Sequence, residues 1–189
     1  MEKMINGVPV EALGETLSAI EANPELAQFR FQADNDWIDG PVNRTTISRF
    51  YGTCQMHEHV ETFVLDADEP PVLLGGDTHA NPVEYLLTAL ASCVTTAMVV
   101  HAAARGIEIR SLRSHLEGDI NLLGFLGLDK TVRNGYEEIR MIFEIDADVP
   151  REELEKVVEL GPTYSPVYDV VSRSVPVKVI LADAAKAAA

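Results

Sequence analysis

The chain has 189 residues, 47% of them apolar, with 15 basic and 30 acidic side chains and a formal charge of −15. The apolar share argues against wholesale disorder. The acidic balance argues against a phosphate-backbone binder or a protein docked on anionic lipid. Two cysteines cannot make a disulfide-rich scaffold or a four-cysteine zinc site.

Residues 1–28 are predicted to be an N-terminal helical extension. Val8, Leu13, Leu17 and Ile20 recur at helical spacing, and Asn23-Pro24 divides the run into one helix or a helix pair. A break over Asp34 to Gly40 separates this appendage from a main domain at 29–183. Short alternating stretches at Arg30 to Ala33, Arg44 to Phe50 and Val60 to Leu65 read as a meander of strands. The Pro- and Gly-bearing stretch DADEPPVLLGGDTHANP is a long loop.

At Asn81 the sequence carries its strongest local signal. Asn81 reads as an N-cap, Pro82 sits in the first turn, and Glu84 completes a capping box. The helix should run to about Arg105 and stop at Gly106. It is apolar on nearly every face, so it is expected to be enclosed by protein on all sides. Ser92, Cys93 and His101, with no basic flank before them, favour a buried helix over a bilayer span. With glutamates where a signal peptide needs an apolar core, the expected location is cytoplasmic.

Ile107 to Ile120 and Tyr136 to Ala147 alternate as strands around a glycine-bearing insertion. Pro150 to Leu160 reads as an acidic helix, Ser165-Pro166 opens a short helix through Val171, and Val175 to Leu181 reads as a last strand. Residues 184–189 are expected to be a frayed tail. Strands, buried helix, strands, helices, strand is an α+β order.

Cys93, inside the apolar helix, is the first candidate for chemistry, against its reading as a small buried hydrophobe. From Phe50 to Ala104 there is no Lys or Arg, so any activating cation must come from a distant segment or another subunit. Cys54, His57 and His59 form a Cys-x2-His-x-His cluster that could ligate zinc if completed by Glu61 or His79, against plain loop polarity. His79 and His101 are singletons, and no nucleotide-binding or serine-hydrolase motif is present.

NPVEYLLTALASC followed by a long apolar helix ending ARGIEI resembles the OsmC/Ohr family of thiol-dependent peroxidases. WIDGPVNRTTI is similar to that family's glycine- and arginine-bearing strand, and YSPVYDVVSRSVPVKV to its second-cysteine segment. The resemblance implies antiparallel sheets around a long central helix, an intertwined homodimer with sites at its interface, and no cofactor. It makes Cys93 the peroxidatic cysteine and Arg44 its activating cation. The usual resolving cysteine falls on Ser165, which cannot form a disulfide, leaving Cys54 as a candidate resolver.

The family's arginine-holding glutamate falls on Val83. Glu84 is the nearest carboxylate, though capping already accounts for it. The implied partners are a second copy, a small hydroperoxide or apolar ligand, and an external thiol reductant, with no nucleic acid or membrane. Two alternatives stand beside hydroperoxide reduction. One is a non-enzymatic dimer binding a small apolar ligand; the other is a metal site at Cys54, His57 and His59.

Overall fold

A computed structural model describes residues 2–182. The expected tail at 184–189 lies outside them. The N-terminal extension is not a helix pair. It begins with a small hairpin, β1 (Met4–Ile5) and β2 (Val8–Pro9), turned by Asn6-Gly7 with φ of 53° and 76°. Asn-Gly favours this left-handed pair of conformations. Helix α1 (Val10–Ala22) follows, and Asn23-Pro24 ends it, with a 3-10 turn at Pro24–Ala27. The Asn6 side chain fastens the hairpin to the main body. It donates to Ile107 O (2.9 Å) and accepts from Ile109 N (2.8 Å), as one residue of a strand would.

The first sheet is antiparallel and built on β5 (Val42–Gly52). One edge of β5 carries β3 (Arg30–Phe31) and β4 (Asp34–Asp39); the other carries β6 (Gln55–Ala67). Strand β4 occupies the stretch expected to be a break. DNDWID has no apolar alternation, which hides it from a pattern reading. Cross-strand polar bonds hold it instead: the Asn35 amide reaches Asn43 Oδ1 (2.9 Å) and Thr45 Oγ1 (2.8 Å), and Trp37 donates to Gly40 O (2.9 Å).

Helix α2 (Pro82–Ala104) opens with the complete capping box and ends before Gly106, at φ 75°. The second sheet is a ribbon of β7 (Ile109–Ile120) and β8 (Tyr136–Ala147), with a short helix α3 (Leu122–Phe125) in the insertion between them. Helices α4 (Arg151–Tyr164) and α5 (Pro166–Ser172) return along α2. Leu90, Val94, Met98 and Ala102 of α2 meet Val157 of α4 in the core, backed by β7 and β8. Close approach of the two helices requires Gly161, where an added Cβ would lie 2.6 Å from Val94 Cγ1 and 3.2 Å from Val94 O.

Two expectations change here. Helix α2 is long and apolar enough to cross a membrane by length and composition. Within one chain only part of it is buried, on the face toward α4 and the ribbon, so it is not enclosed on all sides. Val175 to Leu181 does not form the final strand: it is extended without a ladder, and Val179 is 95% exposed. Its alternating valines have the strand pattern, but no sheet edge of the same chain receives them.

Candidate functional site

Cys93 is half-buried, about three turns into α2. Two grooves border the helix. The larger, about 750 Å³, is lined by Leu86, Leu90 and Val94 of α2 with Ile139, Phe143 and Tyr168. The smaller, about 480 Å³, lies between the first sheet and α2, lined by Asn43, Thr45, Leu65 and Ala67 with Tyr85 and Ala89. At about 100° per residue, Leu86 and Leu90 lie to one side of Cys93 within about 60°, and Tyr85 and Ala89 to the other within about 80°. Cys93 therefore stands on the ridge between the grooves, about one turn beyond Ala89.

Arg44 and Asp66 are direct cross-strand partners on β5 and β6. Arg44 grips Asp66 with two parallel bonds, Nε to Oδ1 and Nη2 to Oδ2, both 2.7 Å. The bond from Arg44 holds the Asp66 carboxyl below its usual range against the opposing effect of burial, and Asp66 raises the guanidinium in turn. Side chains alternate across a sheet. Asn43, Thr45, Leu65 and Ala67 face the smaller groove and α2, so Arg44 and Asp66 are on the opposite face. One chain does not bring Arg44 to its own Cys93. Tyr85 nevertheless ties this point of β6 to α2, since its hydroxyl donates to Asp66 O (2.7 Å).

The loop before α2 is pinned by Asp68, which is 1% exposed. Asp68 accepts from Thr78 N (3.1 Å), Thr78 Oγ1 (2.8 Å), Glu69 N (2.7 Å) and Gly76 N (3.1 Å). These bonds, those from Thr78 foremost, take its carboxyl down to about 2. Thr78 gives its one hydroxyl hydrogen to Asp68, so the 3.0 Å contact with His79 Nδ1 has the ring as donor. That fixes the His79 ring with Nε2 3.6 Å from Asp66 Oδ2.

The other candidates fall elsewhere. Both halves of the capping box engage Glu84: its carboxylate accepts from Asn81 N and its N–H donates to Asn81 Oδ1, each at 2.9 Å. Cys54 is exposed in the two-residue turn between β5 and β6, at φ 63° beside Thr53 at 47°. It lies roughly 40 Å along β6 from Asp66, whereas Cys93 is roughly 12 Å along α2 from Tyr85. Cys54 is thus far outside disulfide reach of Cys93 in the same chain.

His57 is bonded to Gly52 O (3.1 Å) and Thr53 Oγ1 (2.9 Å), and both His57 and His59 pack on Phe50. Among the described residues no group of three His, Cys, Asp or Glu side chains is gathered to hold a metal. Ser165 is 2% exposed and caps α5, accepting from Tyr168 N (3.1 Å). Sequence reasoning missed Asp66, His79 and Asp68 as one cluster. It also missed Arg133, the only Lys or Arg lining the larger groove among the described residues.

Residues 75–180 match the family model described as OsmC-like protein. No curated protein matches the chain by sequence. Among solved structures, the chain resembles an OsmC-like protein from Mycoplasma pneumoniae. The TM-score is 0.58 at 15% identity, over 77% of this chain and 89% of the other. It also resembles an organic hydroperoxide resistance protein OsmC from Legionella pneumophila, with a TM-score of 0.52 at 16% identity over 75% and 89% of the two chains. A hypothetical protein from Aquifex aeolicus VF5 gives 0.52 at 16% over 77% and 89%. At these identities the likeness establishes the α+β fold and nothing finer.

Proposed function

The chain belongs to the OsmC-like protein family, and on that premise we propose that it reduces organic hydroperoxides through Cys93. The observation that carries the reading is the position of Cys93, half-buried on the central helix between two largely apolar grooves. Such a site holds an organic group while leaving the sulfur to react. The Cys93 thiolate attacks the terminal oxygen of the hydroperoxide and the O–O bond breaks. The departing alkoxide takes a proton and leaves as alcohol, and sulfur is oxidised to sulfenic acid. An external thiol then condenses with the sulfenic acid, releasing water. A second thiol exchanges with the mixed disulfide, regenerating Cys93 and carrying away the oxidising equivalents as a disulfide.

External resolution follows from Ser165, which caps a helix where a second sulfur would be needed, and from the remoteness of Cys54. The proposed assembly is a homodimer. Its support is the one-sided burial of α2 and the unpaired valine-rich segment after α5. In it, Arg44 of one copy serves Cys93 of the other, because within a chain Arg44 is on the wrong face of its sheet. The Legionella relative, described as an organic hydroperoxide resistance protein, fits this reading at the level of fold.

Stopped-flow mixing with cumene hydroperoxide tests it, with Cys93→Ser as control. Wild type is expected to react far faster than free cysteine and the variant not at all. A wild-type rate equal to that of free cysteine removes the peroxidase reading. The larger groove, about 750 Å³, favours a second reading in that event: a dimer that binds a small apolar ligand without turnover, detectable by calorimetry.

A further inference from the structure

We propose that Asp66 on strand β6, rather than any residue of α2, is the positioning carboxylate that sets Arg44 for the chemistry of Cys93. The inference rests on the peroxidase reading for its reaction and on the cluster geometry for its residues. Sequence position offers Val83, which has no carboxylate, and Glu84, whose carboxylate closes the capping box. The guanidinium nevertheless has a carboxylate partner, because Asp66 meets it in the fork-to-fork geometry that fixes both distance and plane.

This pair differs from the other strand-borne arginine pairs in the molecule. Arg110–Asp146 and the Arg140 cluster lie on the β7–β8 ribbon with carboxylates more than half exposed, the ordinary state of surface ion pairs. The Asp66 side chain is only 17% exposed. Its backbone carbonyl is held by Tyr85 from α2, and its carboxylate is faced by His79. His79 is itself oriented through Thr78 by the buried Asp68. Asp66 is thus fixed from β6, from α2 and from the loop between them. Arg44 uses Nε and Nη2 on Asp66, and its Nη1 has no hydrogen-bond partner among the described residues. That nitrogen is free to face an anion, and no Lys or Arg between Phe50 and Ala104 competes for the task.

The test uses the full chain in a Cys54→Ser background, so that only Cys93 is alkylated. The rate of reaction with iodoacetamide is measured against pH, beside the rate with cumene hydroperoxide. Arg44→Ala and Asp66→Asn are both expected to move the alkylation profile to higher pH. Both should slow the peroxide reaction by about 10- to 100-fold, as misplacement of a charge partner does. Asp66→Glu should restore most of the rate, and the Arg44→Ala/Asp66→Asn double variant should be no slower than Arg44→Ala.

A profile that moves to lower pH in Asp66→Asn means that Asp66 only neutralises Arg44, and overturns the proposal. So does a profile unchanged in Asp66→Asn, whatever happens to its melting temperature. Should Asp66→Asn fail to fold, Arg44→Lys keeps the charge but loses the fork. It is expected to shift the profile upward, and an unchanged profile there overturns the proposal. A wild type inert to peroxide, with the alkylation shifts intact, would instead remove the peroxidase reading and leave Asp66 in its role.

Discussion

Gly161→Ala tests the packing that places the Cys93 helix. The new methyl would lie 2.6 Å from Val94 Cγ1, 3.1 Å from Met98 Cγ and 3.2 Å from Val94 O. Met98 is unbranched and can turn away. Val94 is stiff at χ1 on a helix, and its carbonyl belongs to the α2 backbone, so neither can yield. Helix α4 must therefore move outward, an overpacking that costs about 1–3 kcal/mol. Alanine returns about 1 kcal/mol of helix propensity relative to glycine. With two of three contacts rigid, the net loss should be about 1–2 kcal/mol, or roughly 2–8 °C in a chain of this size.

Thermal and urea melts followed by circular dichroism measure this loss. Val94→Ala removes the closest obstacle, so the double variant should lose less than the sum of the singles by about 1 kcal/mol. A Gly161→Ala protein as stable as wild type, or a strictly additive cycle, would refute the claim that this contact sets the α2–α4 distance.

Asp68 gives a pH prediction. Its carboxyl is lowered from 3.8 to about 2 on folding, so it contributes stability that is complete above about 3.8 and lost as pH falls through about 2. Acid melts of wild type should fall more steeply over that window than those of Asp68→Asn, and identical slopes would contradict the assignment. Ser165→Ala removes the N-cap of α5 and should lower stability by about 1 kcal/mol in urea melts. Because no thiol is lost, its first step with peroxide should match wild type within twofold. Thr53→Asn with Cys54→Gly places residues suited to positive φ in the hairpin turn and should raise stability by about 1 kcal/mol. An unchanged or lower melting temperature would mean that the turn is not strained.

What the sequence disclosed was local. Asn81, Pro82 and Glu84 announce α2 because all of the capping chemistry lies within four residues, and Ser165-Pro166 announces α5 in the same way. Both strands of the β7–β8 ribbon are visible from their alternation. The Arg44–Asp66 pair was hidden because register is not local. With a two-residue turn at Thr53-Cys54, an unbroken ladder would set Arg44 opposite Phe63. The irregularity between Ile47 and Arg49 adds three residues on β6 and brings Asp66 there instead. Strand β4 was hidden because its pairing uses Asn35, Asn43 and Thr45 side chains rather than apolar ones. The environment of α2 could not be read either, since an all-round apolar helix signals burial without saying which chain supplies the cover.

The single side chain of Asn6 has a consequence for motion. Its amide is a latch: it closes on Ile107 O and Ile109 N and joins the N-terminal hairpin to the start of β7. The Ile109 amide proton is then shielded only while the latch is shut. Its exchange with deuterated solvent would time the release of the hairpin separately from the unfolding of the core. Exchange there much faster than at the ladder-paired amides of β7 would reveal an N-terminal unit that comes and goes on a folded body.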